Sequence, residues 1–183
     1  MDKKYKLTSV TATIGRTQLY QIRAVRSFGD VKAGDCGGFI ESESNLSHSG
    51  DCWVYDWAKV HDNSIVYGNA KIQGNAQLHD NAQVYGNSIV TGDVHLHGKS
   101  QVYGNAEIRG TSRLYDKVQV YGNIKIKGAS KIYGEIQLYS DCDTEMSDVV
   151  INYDNHRCDY AEKCDCMGGE PNFDPNFMGG EPK

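Results

Sequence analysis

Aliphatic residues recur at every sixth position from residue 54 to residue 143, and the positions between them are mostly polar, small or glycine. The first position of this hexad is aliphatic in all 15 repeats, as seven Val, four Ile and four Leu. The fifth position is small in eleven repeats, with five Ala, five Ser and Cys142. Because alternate residues of a strand point to one side, the fifth position and the following first position face inward together. The pattern therefore predicts short strands around a single dry core.

The third and fourth positions of the hexad predict tight corners between these strands. The third position is Gly in ten repeats and Asp in four, and the fourth position is Asn in seven. These residue types tolerate the left-handed backbone that a tight corner requires. Three strands and three corners, hence three hexads, form one triangular coil, and stacked coils form a solenoid. We therefore expect an all-β fold with about five such coils.

The repeat resembles a known family at the level of whole motifs. The string V-Y-G-N-A at 66–70 and 102–106, and the leader S-F-G-D-V-K-A-G-D at 27–35, resemble hexapeptide-repeat, left-handed parallel β-helix proteins. They are most similar to small bacterial and phage proteins rich in V-Y-G-N-A units. The resemblance covers residues 5–143 and implies a left-handed parallel β-helix. It carries almost no information on activity, since acyltransferases, carbonic anhydrases and non-enzymes share this fold.

Four segments are expected along the chain. Residues 1–53 predict an N-terminal β cap and a transitional coil, with a hairpin around Gly15, and residues 54–143 form the β-helix of 15 hexapeptides. Residues 144–166 predict a Cys-rich C-terminal cap, because a parallel solenoid exposes strand edges at both ends. Residues 167–183 form an acidic Gly/Pro tail that we expect to be flexible, with a short partner-binding peptide as the alternative.

Charge and hydropathy exclude several classes of function. The net charge is -5, and the excess of acidic residues lies in residues 144–183. No basic stripe is present, so we expect no general nucleic-acid binding. The sequence contains no apolar run long enough for a membrane-spanning helix, which predicts that the chain does not span a membrane. The basic N-terminus is not followed by the apolar region of a signal peptide, so a cytoplasmic location is predicted.

Outward-facing positions three hexads apart should stack about 4.8 Å above one another and divide the surface into three faces. Face one is a mixed, solvated surface with the columns Trp53, Lys71, Ile89, Glu107 and Lys125 beside Tyr55, Gln73, Thr91, Arg109 and Lys127. Face three displays two columns without a charged residue, Tyr67, Tyr85, Tyr103, Tyr121 and Tyr139 beside Ile65, Gln83, Gln101, Gln119 and Gln137. Interfaces are enriched in Tyr and depleted of charge at their centres, so face three is the predicted binding surface. Alternatively, the ladder only stabilises its own monomer by side-chain hydrogen bonds and ring stacking.

Face two carries a column of histidines at His61, His79 and His97, with His95 on the same strand as His97. Parallel imidazoles point alike and do not converge on a metal, which favours structural stacking over a metal or catalytic role. Because neighbouring positive charges repel, we expect these rings to resist protonation.

The six cysteines suggest one candidate metal site. His156, Cys158, Cys164 and Cys166 lie within eleven residues and offer a Cys3His donor set for zinc, although their spacing is not that of a standard zinc ribbon. Free thiols in a reducing cytosol and a disulfide are the alternatives. Cys52 and Cys142 occupy inward positions and are predicted to fill the core. Apart from zinc at the Cys3His cluster, no cofactor is expected.

These observations favour a non-catalytic protein-binding or scaffold β-helix. Trimeric members of the family pack their prisms side by side, so the resemblance implies a homotrimer through face three, with a heterologous protein partner as the runner-up. A second hypothesis, prompted by the phage-like motifs, is an inhibitor encoded by a phage or prophage that binds a host protein. A third is a hexapeptide acyltransferase with His79 or His97 as its base. No loop leaves the 15 hexads, which argues against the enzyme.

Overall fold

An antiparallel sheet covers the N-terminal end of the molecule. In the computed structural model, which describes residues 3–152, strand β1 (Tyr5–Ile14) pairs with β2 (Thr17–Ala24), and β2 pairs with β3 (Cys36–Ile40). The turn between β1 and β2 contains Gly15 at φ 57°, so the hairpin expected there is confirmed. A short 3-10 helix (Glu43–Asn45) follows β3.

Short strands that pair in parallel form the solenoid. In chain order within the described residues they are β4 (Trp53–Val54), β5 (Lys59–Val60), β6 (Ile65–Val66), β7 (Lys71–Gly74), β8 (Gln77–Leu78), β9 (Gln83–Val84), β10 (Ile89–Gly92), β11 (His95–Leu96), β12 (Gln101–Val102), β13 (Glu107–Gly110), β14 (Arg113–Leu114), β15 (Gln119–Lys127), β16 (Lys131–Ile132), β17 (Gln137–Ser147) and β18 (Val150–Ile151). Each pairs with the strand one coil away. The stack has about six turns, and the expected all-β parallel β-helix is confirmed.

The core follows the hexad. Adjacent coils pair with an offset of three hexads, as Gln83 pairs with Gln101 and Val84 with Val102. All first-position aliphatic side chains from Val54 to Ile132 are fully buried, at 0% exposure. The small fifth-position residues between them are buried as well. The inward assignment made from the repeat is therefore confirmed over these coils.

The corners depend on the third position of the hexad more than on the fourth. Asp56, Asp62, Asp80 and Asp116 adopt φ values of 51°, 53°, 60° and 58°, and the Gly residues at equivalent corners also have positive φ. The fourth-position Asn residues of the described coils do not. A corner Asp also binds the next coil, since Asp80 Oδ2 accepts the Gly98 N–H at 2.9 Å. Aspartate thus supplies both the left-handed backbone and an axial hydrogen bond.

The N-terminal cap buries the first rung of face one. Trp53 is 1% exposed and packs edge-to-face on Phe28, with ring centroids 5.4 Å apart, and on Tyr5 at 6.0 Å. The expectation that Trp53 begins an exposed column is wrong, because the cap covers this position. Beneath the cap, the buried Lys4 Nζ donates to the Cys52 carbonyl oxygen at 2.8 Å, and burial lowers the pKa of this amine. Cys52 is fully buried, as the sequence predicts.

The last coil departs from the repeat. Gly122 pairs with Ser140 at the usual offset, but Ile124 pairs with Thr144, so two extra residues bulge from β17. Thr144 takes the place opposite Ile124 that the hexad assigns to Cys142. Cys142 is exposed, and the prediction that it fills the core is therefore wrong.

No helix among residues 3–152 combines the length and the apolar character that crossing a membrane requires.

Candidate functional site

A column of five stacked tyrosines runs along face three. The face is formed by β6, β9 and β12 with the first parts of β15 and β17, and each tyrosine follows the inward aliphatic residue of its strand. Successive ring centroids are 4.6, 4.8, 4.7 and 4.9 Å apart, and the first three pairs are within 6° of parallel. The in-register strands therefore hold five aromatic rings at the spacing of the coils. Tyr67 and Tyr139 at the ends are 36% and 54% exposed, and the three central rings are half-buried.

The glutamine column beside these rings has almost no internal hydrogen bonds. Within residues 3–152, the Tyr103 hydroxyl donates to Gln119 Oε1 at 3.4 Å, which is a long contact. The amides of Gln83 and Gln101 have no side-chain hydrogen bond to one another, although their residues pair directly across β9 and β12. Gln83, Gln101 and Gln119 are half-buried and Gln137 is exposed. The predicted face therefore presents unpaired amide donors and acceptors beside aromatic rings.

An asparagine column extends this uncharged surface and was not predicted from the sequence. Asn69 Nδ2 donates to Asn87 Oδ1 at 3.0 Å, Asn87 to Asn105 at 3.2 Å, and Asn105 to Asn123 at 3.0 Å. These residues occupy the corner that follows the tyrosines. Their spacing of three hexads is visible in the sequence, but the corner pattern indicates only a backbone role for asparagine. Face three therefore carries three adjacent columns without charge along most of its length.

The histidine column on face two is not a uniform ladder. His61 and His79 stack at 5.3 Å and 11°, but the His79 and His97 rings meet at 3.9 Å and 73°. His97 then stacks on Tyr115 at 4.6 Å. The expectation of parallel imidazoles is therefore wrong between His79 and His97, where one ring edge points at the next ring.

Burial and like charge make several of these rings hard to protonate. Desolvation lowers the pKa of His61 and of His95. Desolvation, followed by the neighbouring His79 and His95, lowers the pKa of His97 to about 4. This direction is the one expected from the sequence. At neutral pH the His97 imidazole is therefore uncharged.

The proposed zinc ligands His156, Cys158, Cys164 and Cys166 lie outside the described residues, as does the tail at 167–183.

Two comparisons with known proteins match part of the chain. A family model described as the YdcK β-solenoid repeat matches residues 82–98. A protein of Escherichia coli (strain K12) named "Uncharacterized acetyltransferase YdcK" is 44% identical over 59 residues. This match covers 32% of the present chain and 17% of the relative's length. The similarity supports a β-solenoid repeat, in agreement with the structure.

Proposed function

We propose that this chain is a non-catalytic binding solenoid whose face three associates with other copies of the chain. The observation that carries the proposal is the column of stacked tyrosines flanked by glutamine amides that lack partners in the described part of the fold. An aromatic surface with open hydrogen-bonding groups and no charge has the composition of an interface centre. A homotrimer is the favoured assembly, and a heterologous protein is the alternative occupant.

If the glutamine column only stabilised its own monomer, its side chains would hydrogen-bond to one another along the solenoid axis. The asparagine column shows that form, since each amide bonds to the one above it. The half-buried Gln83 and Gln101 side chains do not bond along the axis in this way. Neither amide is among the buried side-chain polar atoms of residues 3–152 that lack a hydrogen-bond partner, so both reach solvent in the single chain. Face three therefore offers open amide donors and acceptors that a second surface can pair, which supports it as a binding surface.

Light scattering on purified protein tests this proposal. We expect the wild type to have a mass of about three times the 20.3 kDa chain. The double variant Gln101→Glu with Tyr103→Lys places two charges at the central rung of face three, and we expect it to be monomeric because association would have to remove these charges from water. The matched control, Ile89→Glu with Thr91→Lys, introduces the same two charged residues at the same height of face one and should leave the mass unchanged.

The inhibitor hypothesis, in which face three binds a host protein, predicts a different result in light scattering. The wild type would then be monomeric, and one lysate protein would bind the wild type and the face-one control but not the face-three variant. A monomeric wild type whose captured proteins are identical for both variants would overturn face three as a binding surface.

Acetyl transfer is a second candidate, supported by the name of the E. coli relative, an uncharacterized acetyltransferase. A groove of about 420 Å³ is lined by Gly98, the residue that follows His97, together with Lys99, Asp116, Lys117, Gly134 and Glu135. Lys99 offers a cation for a phosphate group, whereas Lys117 is paired with Glu135, and the uncharged His97 is the candidate proton acceptor. If this activity exists, the wild type releases CoA from acetyl-CoA in the presence of amino sugars, and His97→Gln reduces the rate by about 100-fold. Equal rates in wild type, variant and buffer would reject it.

A further inference from the structure

A second cluster of chemical groups lies where the N-terminal cap meets the first coil. Glu41 follows β3, and His61 and Asp62 follow β5, the strand that pairs with β3. One possible ligand atom from each of these three side chains lies within 4.8 Å of the other two. This triad is separate from face three and has no role in the proposed assembly.

His61 is the unusual member of the triad. It is 6% exposed, and neither of its ring nitrogens has a hydrogen-bond partner within residues 3–152. Nδ1 lies 3.1 Å from Asp62 Oδ2, but the contact does not have hydrogen-bond geometry. A buried imidazole without a partner is costly, and such a group in a folded protein calls for a specific explanation. A bound cation would use the nitrogen lone pair that the fold leaves free.

The two carboxylates are held in place by the backbone. Glu41 Oε2 accepts the Asp62 N–H at 2.7 Å, and Asp62 Oδ2 accepts the Asp80 N–H at 3.2 Å. Hydrogen bonds of this kind orient metal ligands before the ion arrives. Each carboxylate oxygen retains a second lone pair for an ion.

We propose that Glu41, His61 and Asp62 form a binding site for one divalent transition-metal ion of the Zn²⁺ class. One imidazole nitrogen with two carboxylates suits Zn²⁺, Co²⁺ or Ni²⁺, because imidazole favours these ions over Mg²⁺ and Ca²⁺. Ligand atoms around a tetrahedral Zn²⁺ lie about 3.3 Å apart, close to the 3.1 Å between His61 Nδ1 and Asp62 Oδ2. The two carboxylates balance the charge of the ion, and water supplies the fourth ligand.

Such an ion would connect the cap to the solenoid. Glu41 directly follows β3, the last strand of the antiparallel cap, whereas His61 and Asp62 directly follow β5 of the first coil, which pairs with β3 in parallel. Binding should therefore stabilise the contact between these two parts, since an ion that binds only the folded state raises its stability.

Co²⁺ binding to the full-length chain tests the site. All proteins carry Cys158→Ser, Cys164→Ser and Cys166→Ser, so that these thiolates do not bind the ion. We expect one Co²⁺ per chain, visible as d–d absorption bands, and an increase in thermal midpoint that depends on Co²⁺ concentration. His61→Phe keeps the ring stack and should abolish binding. Glu41→Gln should weaken it by about 10-fold or more.

The matched control is His97→Phe, which removes an imidazole from the same column two coils away and should leave Co²⁺ affinity unchanged. Circular dichroism checks that each variant is folded. The proposal is overturned if folded wild type binds no Co²⁺. It is also overturned if His97→Phe abolishes binding while His61→Phe does not, because the ion would then belong to the neighbouring His79, Asp80 and His97 groups.

Discussion

The low pKa of His97, in the histidine column of face two, makes the free energy of unfolding depend on pH. His97 has a pKa of about 4 in the folded chain, below the value of about 6.5 in an unfolded chain, chiefly because the ring is desolvated. Above pH 6.5 both states are neutral at this residue, and it contributes no pH dependence. The titratable and charged groups that face the ring are His79, His95, Asp80, Arg113 and Tyr115.

From this shift we predict that acid weakens the fold through His97. As the pH falls from about 6.5 to 4, the unfolded chain takes up a proton that the folded chain does not, so stability is lost across this interval. His97→Gln removes the titrating group and should show a smaller drop in thermal midpoint between pH 7 and pH 5. His61 and His95 shift in the same direction and are present in both proteins. Identical drops in the two proteins would show that His97 does not contribute.

Gly92 at a solenoid corner and Gly15 in the cap hairpin separate two contributions to stability, backbone strain and a steric clash between coils. Gly92 has φ 102°, and a Cβ there would lie 2.4 Å from the Gly110 carbonyl oxygen one coil away. Gly15 in the cap hairpin also has positive φ, 57°, but a Cβ would meet nothing within 4 Å. Gly15→Ala therefore measures only the free-energy cost of placing Ala in the left-handed region, about 1 kcal/mol.

Gly92→Ala adds the clash with the next coil, and we predict a loss of about 3 kcal/mol in the free energy of unfolding. Urea denaturation of both variants measures the difference. A loss for Gly92→Ala no greater than that for Gly15→Ala would mean that the coils separate at little cost.

At the level of elements, the sequence predicts what depends on local periodicity. The inward aliphatic positions, the strand spacing and the corner at the third position of each hexad follow from a pattern of six, because they repeat the same local geometry. The N-terminal hairpin was also predicted, from two β-rich runs around Gly15. The inward positions agree with the structure over the coils from Val54 to Ile132, and the third-position corners and the hairpin agree as well.

Features that depend on contacts between distant elements were not predictable in this way. Trp53 is buried because the cap strands, far away in sequence, cover it. Cys142 is exposed because β17 gains a bulge that places Thr144 opposite Ile124. The column on face three could be listed from the sequence, but the contrast between bonded Asn amides and unbonded Gln amides required side-chain positions.

At the scale of the whole molecule, the stacked coils present three chemically different faces. Face one carries ion pairs such as Lys127 with Glu145 at 2.7 Å, which suit a surface in water. Face two presents the histidine column, and face three presents Tyr, Gln and Asn without charge. Because the columns are in register over the coils, a second copy could meet the whole of face three at once. The account therefore depends on whether face three is covered in solution.

Hydroxyl-radical footprinting with mass spectrometry measures this directly at the level of single side chains. Samples are labelled at high and low protein concentration, and Trp57, which is 67% exposed, serves as the internal reference. If copies associate through face three, Tyr85, Tyr103 and Tyr121 are protected at high concentration and become labelled on dilution, while Trp57 is labelled equally in both. Equal labelling of these three tyrosines at both concentrations, in protein that light scattering shows to be monomeric throughout, would contradict self-association through face three.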